Sequence, residues 1–517
     1  VIKIKILLIA FCQSKKSIFE NLGIERLSAF LEQKGYDISY RYVFPEEDFL
    51  SIIKEYDIIG FSLYPDSYDI AKKCISICHK EKKLVIAGSK FATDYYEFVL
   101  QDIPELDYLV MGHGEHPFLY LLEEIAKGTG IDEIINNNSY IINACSNKTP
   151  SVCIQNIREL PWPNRQQYIT CFNPQELMIC DSHGCIARCS FCSNCQNMRK
   201  YSTRRVEDLV NEIFYYYDKF NIRQFFFVGN SFEDPGAAGK QKINELCDII
   251  MQSGKNISLG CYIRGNFIKK KEDRELLDKM VKSGFSYIFV GVEAGNEDDL
   301  KLYNKNATVD DCICLMTHMQ NYRNAIYTAM GFIMINPYSN LQRFRQNYHF
   351  LSEQRCCILD SYISKLHVYY ATEIHDRVKN DGLLRPDYNF LNTTAYEFID
   401  KDAAEIDKFI SEHLYPIRLE VGSLQDILRY NYQIRRLLQK QNDPTTANVL
   451  DNLASILADF FRDVYINFDK EKCISKIEIF KKELKSQYDK LILYNIKLKK
   501  ELMKLDTQSS KMICALS

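Results

Sequence analysis

At 517 residues the chain is long enough for two or three domains. Its make-up, 46% apolar and 26% charged with only 21 Gly and 13 Pro, is that of a globular protein. A net charge of −3 argues against a dominant nucleic-acid field, and no apolar run approaches the ~20 residues needed to cross a bilayer.

Residues 1–127 read as five strand–helix units. Strands are predicted at Lys3–Ala10, Ile38–Val43, Ile58–Phe61, Leu84–Ala87 and Tyr108–Met111, with helices between them such as Ile18–Lys34 and Ser67–Lys80. In the first helix Leu22, Arg26, Leu27, Phe30 and Leu31 recur at helical spacing, and Gly35 stands where a left-handed residue ends a helix. The apolar run Ile4–Phe11 lacks a clear cleavage site and alternates into a βα pattern, so it reads as a buried strand and not as a signal peptide. Alternating strands and helices predict a Rossmann-like, doubly wound parallel sheet, whose ligands bind beyond the carboxyl ends of the strands.

Residues 128–175, rich in Asn and Ser and carrying Pro161, Trp162, Pro163 and Pro174, read as a linker. From Glu176 the alternation resumes, with strands at Leu177–Cys180, Gln224–Val228, Ser258–Tyr262, Ser286–Val292, Tyr327–Ile333 and Ile363–Tyr369. Six repeats over residues 176–370 predict a partial (β/α)6 TIM-type barrel. Residues 371–517 read as a mainly helical C-terminal region. There Ile477, Leu484, Leu491, Leu498 and Leu505 repeat every seven residues, as in a coiled coil. Gln487 and Tyr494 at the companion positions favour a helix packed on its own barrel.

Nineteen cysteines cannot all pair within one chain. With no secretion signal they are expected to stay reduced, in the cytoplasm, mostly as small buried apolar residues. One segment stands apart: Gly184-Cys185-Ile186-Ala187-Arg188-Cys189-Ser190-Phe191-Cys192. Three thiolates suit three irons of a cubane cluster and leave the fourth iron open to a small molecule. Zinc, which closes with four ligands, is the rival metal, with His183 or Cys195 able to complete the set. Three unrelated buried cysteines are the bland alternative. Its place between a strand and a helix, at the opening of a βα repeat, weighs against that.

The segment resembles the signature of the radical S-adenosylmethionine (SAM) superfamily. The resemblance implies a 4Fe-4S cluster on Cys185, Cys189 and Cys192, with Phe191 beside it, and SAM on the open iron. Asn230, in Val228-Gly229-Asn230-Ser231-Phe232-Glu233, falls where the family meets the SAM amino group, though the usual acidic or Gly-Gly-Glu form is missing. Arg264 and Glu293 resemble the SAM-contacting pair of one subgroup, an Arg gripping carboxylate and a Glu accepting from ammonium or hydroxyl. Gly331-Phe332-Ile333-Met334-Ile335-Asn336-Pro337 falls near the adenine position.

That subgroup carries a cobalamin-binding domain ahead of the barrel, and residues 3–127 resemble it. The resemblance places cobalamin at Ser62, Gly88, Gly112, Gly114 and Glu115, where short residues at strand ends let a flat macrocycle approach the backbone. Asp-x-His-x-x-Gly, which would supply a lower axial His, is absent, and Ala87 stands where a second Gly is expected. His113 and His116 read as turn or helix-start residues, and Cys195 as structural.

The function implied is cobalamin-dependent radical SAM methylation of an unactivated carbon or phosphorus centre. A cyclisation, a rearrangement or methylthiotransfer is the enzymatic alternative. Cys12 favours methylthiotransfer slightly, and the helical tail speaks against it. A cobalamin or cluster sensor is the non-enzymatic alternative. Expected partners are a small-molecule or peptide substrate and an electron donor such as flavodoxin or ferredoxin, with no nucleic acid and no membrane span.

Overall fold

The computed structural model describes residues 4–13, 20–194 and 200–516, with side chains as far as residue 504. The chain forms two compact units, Val1–Gly184 with Ser193–Arg204, and Cys185–Cys192 with Arg205–Ser517.

The first unit is built on a sheet of β1 (Lys5–Phe11), β2 (Asp37–Val43), β3 (Ile58–Ser62), β4 (Leu84–Gly88), β5 (Tyr108–Val110) and β6 (Ile141–Ile142), in the order β2-β1-β3-β4-β5-β6. The first five strands run parallel, and β6 joins antiparallel to β5. Ile6, Leu7, Leu8, Ile9, Ile58, Ile59, Val85 and Ile86 are buried, the near-continuous apolar run of strands covered on both faces. All five predicted strands form here to within two residues at either end.

The helix Leu22–Gln33 begins at Asn21, whose side chain accepts from the Ile24 N–H at 3.2 Å, and ends before Gly35 at φ +87°. The predicted start of that helix, before residue 20, lies outside the described residues. Residues 128–175 hold more structure than their composition suggests: helices Ile131–Asn137 and Gln166–Phe172 form, with β6 between them. This segment is anchored at Arg165. Its side chain is fully buried against the Glu20 carboxylate, which also accepts from the Met178 N–H at 2.7 Å.

After β7 (Glu176–Ile179) and the short antiparallel pair β8 (Ser182–His183) and β9 (Ser202–Thr203), the chain enters the second unit. There β10 (Gln224–Phe227), β11 (Ser258–Arg264), β12 (Phe285–Glu293) and β13 (Tyr327–Phe332) lie side by side, all parallel. Helices Val206–Phe220, Ala237–Ser253, Lys271–Ser283, Glu297–Leu302 and Val309–Gln320 connect them. The last begins in a capping box, Thr308 with Asp311.

The predicted strand Ile363–Tyr369 contracts to one bridge, Ile335 to Lys365. Its backbone is engaged elsewhere: Leu359–Ile363 is helical, and the Val368 N–H donates to the Thr393 carbonyl at 2.9 Å. Beyond residue 400 the chain is helical, ending in Leu424–Leu437, Thr445–Tyr465 and Lys470–Leu516. Leu484, Leu491 and Leu498 are buried within this chain, Leu498 beside Leu502, Ile434 and Leu437, as the packed-helix alternative requires. The side chain of Leu505 lies outside the described residues. Among the described residues no helix is long and apolar enough to cross a membrane.

Candidate active site: a cysteine loop and a strand-end cavity

In the second unit, Cys185, Cys189 and Cys192 are half-buried, whereas Cys247, Cys261, Cys312, Cys357 and Cys473 are buried. The loop between them is pinned by its backbone. The Cys192 N–H donates to the Cys189 carbonyl at 3.2 Å, and the Ser190 N–H donates to the Tyr303 carbonyl at 2.9 Å. The Ser190 hydroxyl donates to the Leu302 carbonyl at 2.7 Å. Phe191 packs edge-on against Tyr303, with ring centroids 5.5 Å apart.

Two cationic side chains stand next to these thiols. The Arg264 guanidinium binds the Asp234 carboxylate, whose other oxygen lies 3.9 Å from the Cys185 sulfur. Burial opposes the charge on Arg264, but Glu233, Asp234 and Cys185 outweigh it and its pKa rises. The Arg264 N–H donates to Glu233 at 2.9 Å. Burial lifts the pKa of that carboxyl, against the pull of Arg264. Lys305 lies 3.3 Å from Glu293, both side chains largely buried. Burial again opposes the cation, but Glu293 and the Cys189 thiol raise its pKa. Arg264 and Glu293, paired in sequence, thus take separate ionic partners. Asn230 is exposed at the end of β10.

Glu293 adopts φ +72°, beyond a register shift between β12 and β13. A left-handed glutamate at a strand end is the kind of backbone outlier that gathers at functional sites. Asp234 is the residue that strand patterning missed; it directly follows the segment Val228 to Glu233 that the family resemblance singles out.

Among the described residues no three His, Cys, Asp or Glu side chains converge tightly enough to hold one metal ion. A cubane makes a different demand, because each thiolate binds a separate iron. Three half-buried thiols on one loop fit that role. Cys195 lies outside the described residues.

In the first unit, a cavity of about 250 Å³ opens at the carboxyl ends of β1, β3, β4 and β5. Ser62, Gly88, Gly112, Gly114 and Glu115 all line it, so the five cofactor candidates meet at one place. Gly112 has φ +83°, and a Cβ there would lie 2.3 Å from the Cys153 carbonyl oxygen. Only glycine lets the chain turn at this wall.

The cavity also takes in Arg26, His113 and His183, which strand patterning did not assign to it. The His113 and His183 rings lie 4.2 Å apart. Burial, then the neighbouring His183 and Arg26, lower the His113 pKa to about 3. Burial and Arg26 lower that of His183 to about 4. The Gln155 N–H donates to His113 Nδ1 at 2.9 Å, leaving the proton of the neutral ring on Nε2. Its short-residue walls are the kind that let a flat macrocycle approach the backbone.

A parallel strand-end cavity in one unit and a cysteine loop in a βα unit define a two-cofactor protein. Family models match both parts: the radical SAM superfamily over residues 179–351 and the B12 binding domain over residues 10–122. The chain thus carries a radical SAM domain preceded by a B12 binding domain. The cofactors of these domains are a 4Fe-4S cluster, SAM and cobalamin.

An uncharacterized methyltransferase of Pyrococcus horikoshii is 25% identical over 52% of this chain and 58% of its own length. An anaerobic magnesium-protoporphyrin IX monomethyl ester cyclase of Cereibacter sphaeroides is 25% identical over 55% of this chain and 48% of its own. The chain therefore spans about half the length of these relatives. The cobalamin-dependent SAM radical enzyme OxsB, solved with aqua-cobalamin and SAM, shares the fold at a TM-score of 0.70 and 18% identity, over 99% of this chain and 81% of OxsB.

Proposed function

We propose that the protein is a cobalamin-dependent radical SAM methyltransferase, acting on an unactivated carbon or phosphorus centre of a small molecule or peptide. One observation carries this: the chain combines a cavity at the ends of parallel strands, lined by the residues expected to face cobalamin, with a three-thiol loop flanked by Arg264 and Lys305. The P. horikoshii relative is itself named a methyltransferase.

Bound at these sites, the cluster with SAM supplies one-electron cleavage and hydrogen abstraction, and cobalamin supplies methyl transfer. The protein's part is to bind, orient and exclude water. Cys185, Cys189 and Cys192 would hold three irons of the cluster, and Phe191 closes the loop against the apolar core. Asp234 and Glu233 hold Arg264 in place, where its guanidinium can meet a carboxylate. Lys305 fixes Glu293, which can accept from ammonium or hydroxyl. Neutral His113 keeps the cobalamin cavity free of an added positive charge. The electron comes from a one-electron donor such as flavodoxin or ferredoxin.

The test is product analysis of the anaerobically reconstituted protein with SAM, cobalamin, a reductant and candidate substrates. Methylation requires both S-adenosylhomocysteine and 5′-deoxyadenosine. 5′-Deoxyadenosine alone overturns it in favour of a cyclisation or rearrangement, the second reading favoured by the C. sphaeroides relative's name. No SAM cleavage at all would point to a sensor.

A further inference from the structure

Besides its own Cys192 to Cys189 bond, the cysteine loop is held from outside. Its middle is tied mainly to residues 302–304, through Ser190 to Tyr303 and Leu302 and through the Asn304 side-chain amide, which donates to the Arg188 carbonyl at 2.7 Å, with a further bond from the Ile374 N–H to the Ser190 carbonyl at 3.0 Å. What holds 302–304 is Asp299, whose side chain is fully buried. Its carbonyl accepts from the Tyr303 N–H at 2.8 Å. Its carboxylate accepts from Asn296 at 2.6 Å, Asn336 at 3.0 Å, Arg343 at 3.1 Å and Asn347 at 3.4 Å. Asn336 also donates to the Tyr303 hydroxyl at 2.9 Å.

A buried carboxylate is stable only when it is fully hydrogen-bonded. Here the donors come from Asn296, at the exit of β12, from Asn336, beyond β13, and from Arg343 and Asn347 on the helix Leu341–Ser352. One charge therefore ties three elements of the second unit to the short segment that carries Tyr303, Asn304 and Lys305.

We propose that Asp299 is a positioning residue for the cluster. By fixing Tyr303 and Asn304 it sets both the backbone between Cys189 and Cys192 and the place of Lys305 beside Cys189. The proposal rests on the cluster assignment to these cysteines. Asp299 touches none of the reacting groups and acts only through the segment it anchors. A neutral amide at this position turns a donor toward Asn296 and Asn347, so the network no longer closes.

The experiment compares Asp299→Asn, Ser190→Ala and Asn304→Ala with wild type after anaerobic reconstitution. Iron content, the rate of iron loss to a chelator, the electron paramagnetic resonance of the reduced cluster and the melting temperature are measured. Ser190→Ala and Asn304→Ala cut the same link from the loop side and leave the buried charge intact, so they decide the matter if Asp299→Asn fails to fold. Iron should leave all three variants roughly fivefold faster than wild type, the effect of losing one hydrogen bond's net stabilisation. The resonance line shape should change in the same sense in each. A melting temperature lowered only in Asp299→Asn, with iron release and line shape unchanged in the other two, overturns the proposal. Wild-type protein that takes up no iron would instead refute the cluster assignment.

Discussion

At Lys305, burial and charge pull in opposite directions. The ammonium is held charged where little water reaches it, because Glu293 answers it at 3.3 Å. Removing one partner of such a pair leaves the other charge stranded, so Lys305→Met should cost roughly 2–4 kcal/mol in denaturant unfolding, more than an exposed lysine would. A loss below about 0.5 kcal/mol would mean that the pair is solvated and Glu293 is not held. His113 carries the opposite sign. Folded it titrates at about 3, against an unfolded value near 6.5. Between those values the unfolded chain binds the extra proton. Its contribution is therefore complete above about pH 6.5 and is lost as the pH falls toward 3. His113→Asn keeps an acceptor for the Gln155 N–H and cannot titrate, so its melting temperature should fall less than wild type between pH 7 and pH 5. Equal slopes would show that His113 is not buried neutral. At this scale the cysteines were legible because their spacing is local. The partners of Arg264 and Glu293 were not, because Asp234 meets Arg264 only once β10 and β11 lie side by side, and Lys305 meets Glu293 only once the helix Glu297–Leu302 folds back after β12.

The elements divide by where their hydrogen bonds close. Strands β1, β3, β4 and β5 could be read from apolar runs because each is buried on both faces, β2 from the alternation of buried Ile38, Tyr40 and Tyr42 with more open residues, and the helices between them because the 3.6-residue period survives in Leu22 to Leu31. The segment Ile363–Tyr369 carries the same apolar signal, but only Ser364 to Leu366 bond to the chain just beyond β13, at Met334 and Ile335, while Val368 turns to Thr393, a matter that composition does not record. The Asn- and Ser-rich stretch after residue 128 hid two helices and a sheet strand for the same reason. At the end of β5, Gly112→Ala meets both a left-handed φ and the Cys153 carbonyl. It should destabilise the first unit by about 2–4 kcal/mol and weaken cobalamin retention, measured by melting and by gel filtration of the bound cofactor. In the last helix, Leu491→Ala should cost about 2–4 kcal/mol, because Leu491 is fully buried. A cost near zero would return the heptad leucines to an open seam awaiting a partner.

For the whole molecule, the two units make a separable prediction. Replacing Cys185, Cys189 and Cys192 together by Ala should abolish iron uptake and leave cobalamin binding intact, whereas Gly112→Ala should weaken cobalamin binding and leave iron uptake intact. Iron analysis and the absorbance of bound cobalamin read the two independently, and simultaneous loss of both in either variant would contradict it. The sequence by itself determined the alternation of strands and helices, the cysteine spacing and the short residues at strand ends, since each depends on neighbours a few positions apart. Only the tertiary structure decided that Ser62, Gly88, Gly112, Gly114 and Glu115 line one cavity with Arg26 and His183, and that Asp299 braces the cysteine loop. Those contacts join positions far apart along the chain, and a buried charge chooses its partners by distance and dielectric, neither of which a linear pattern contains.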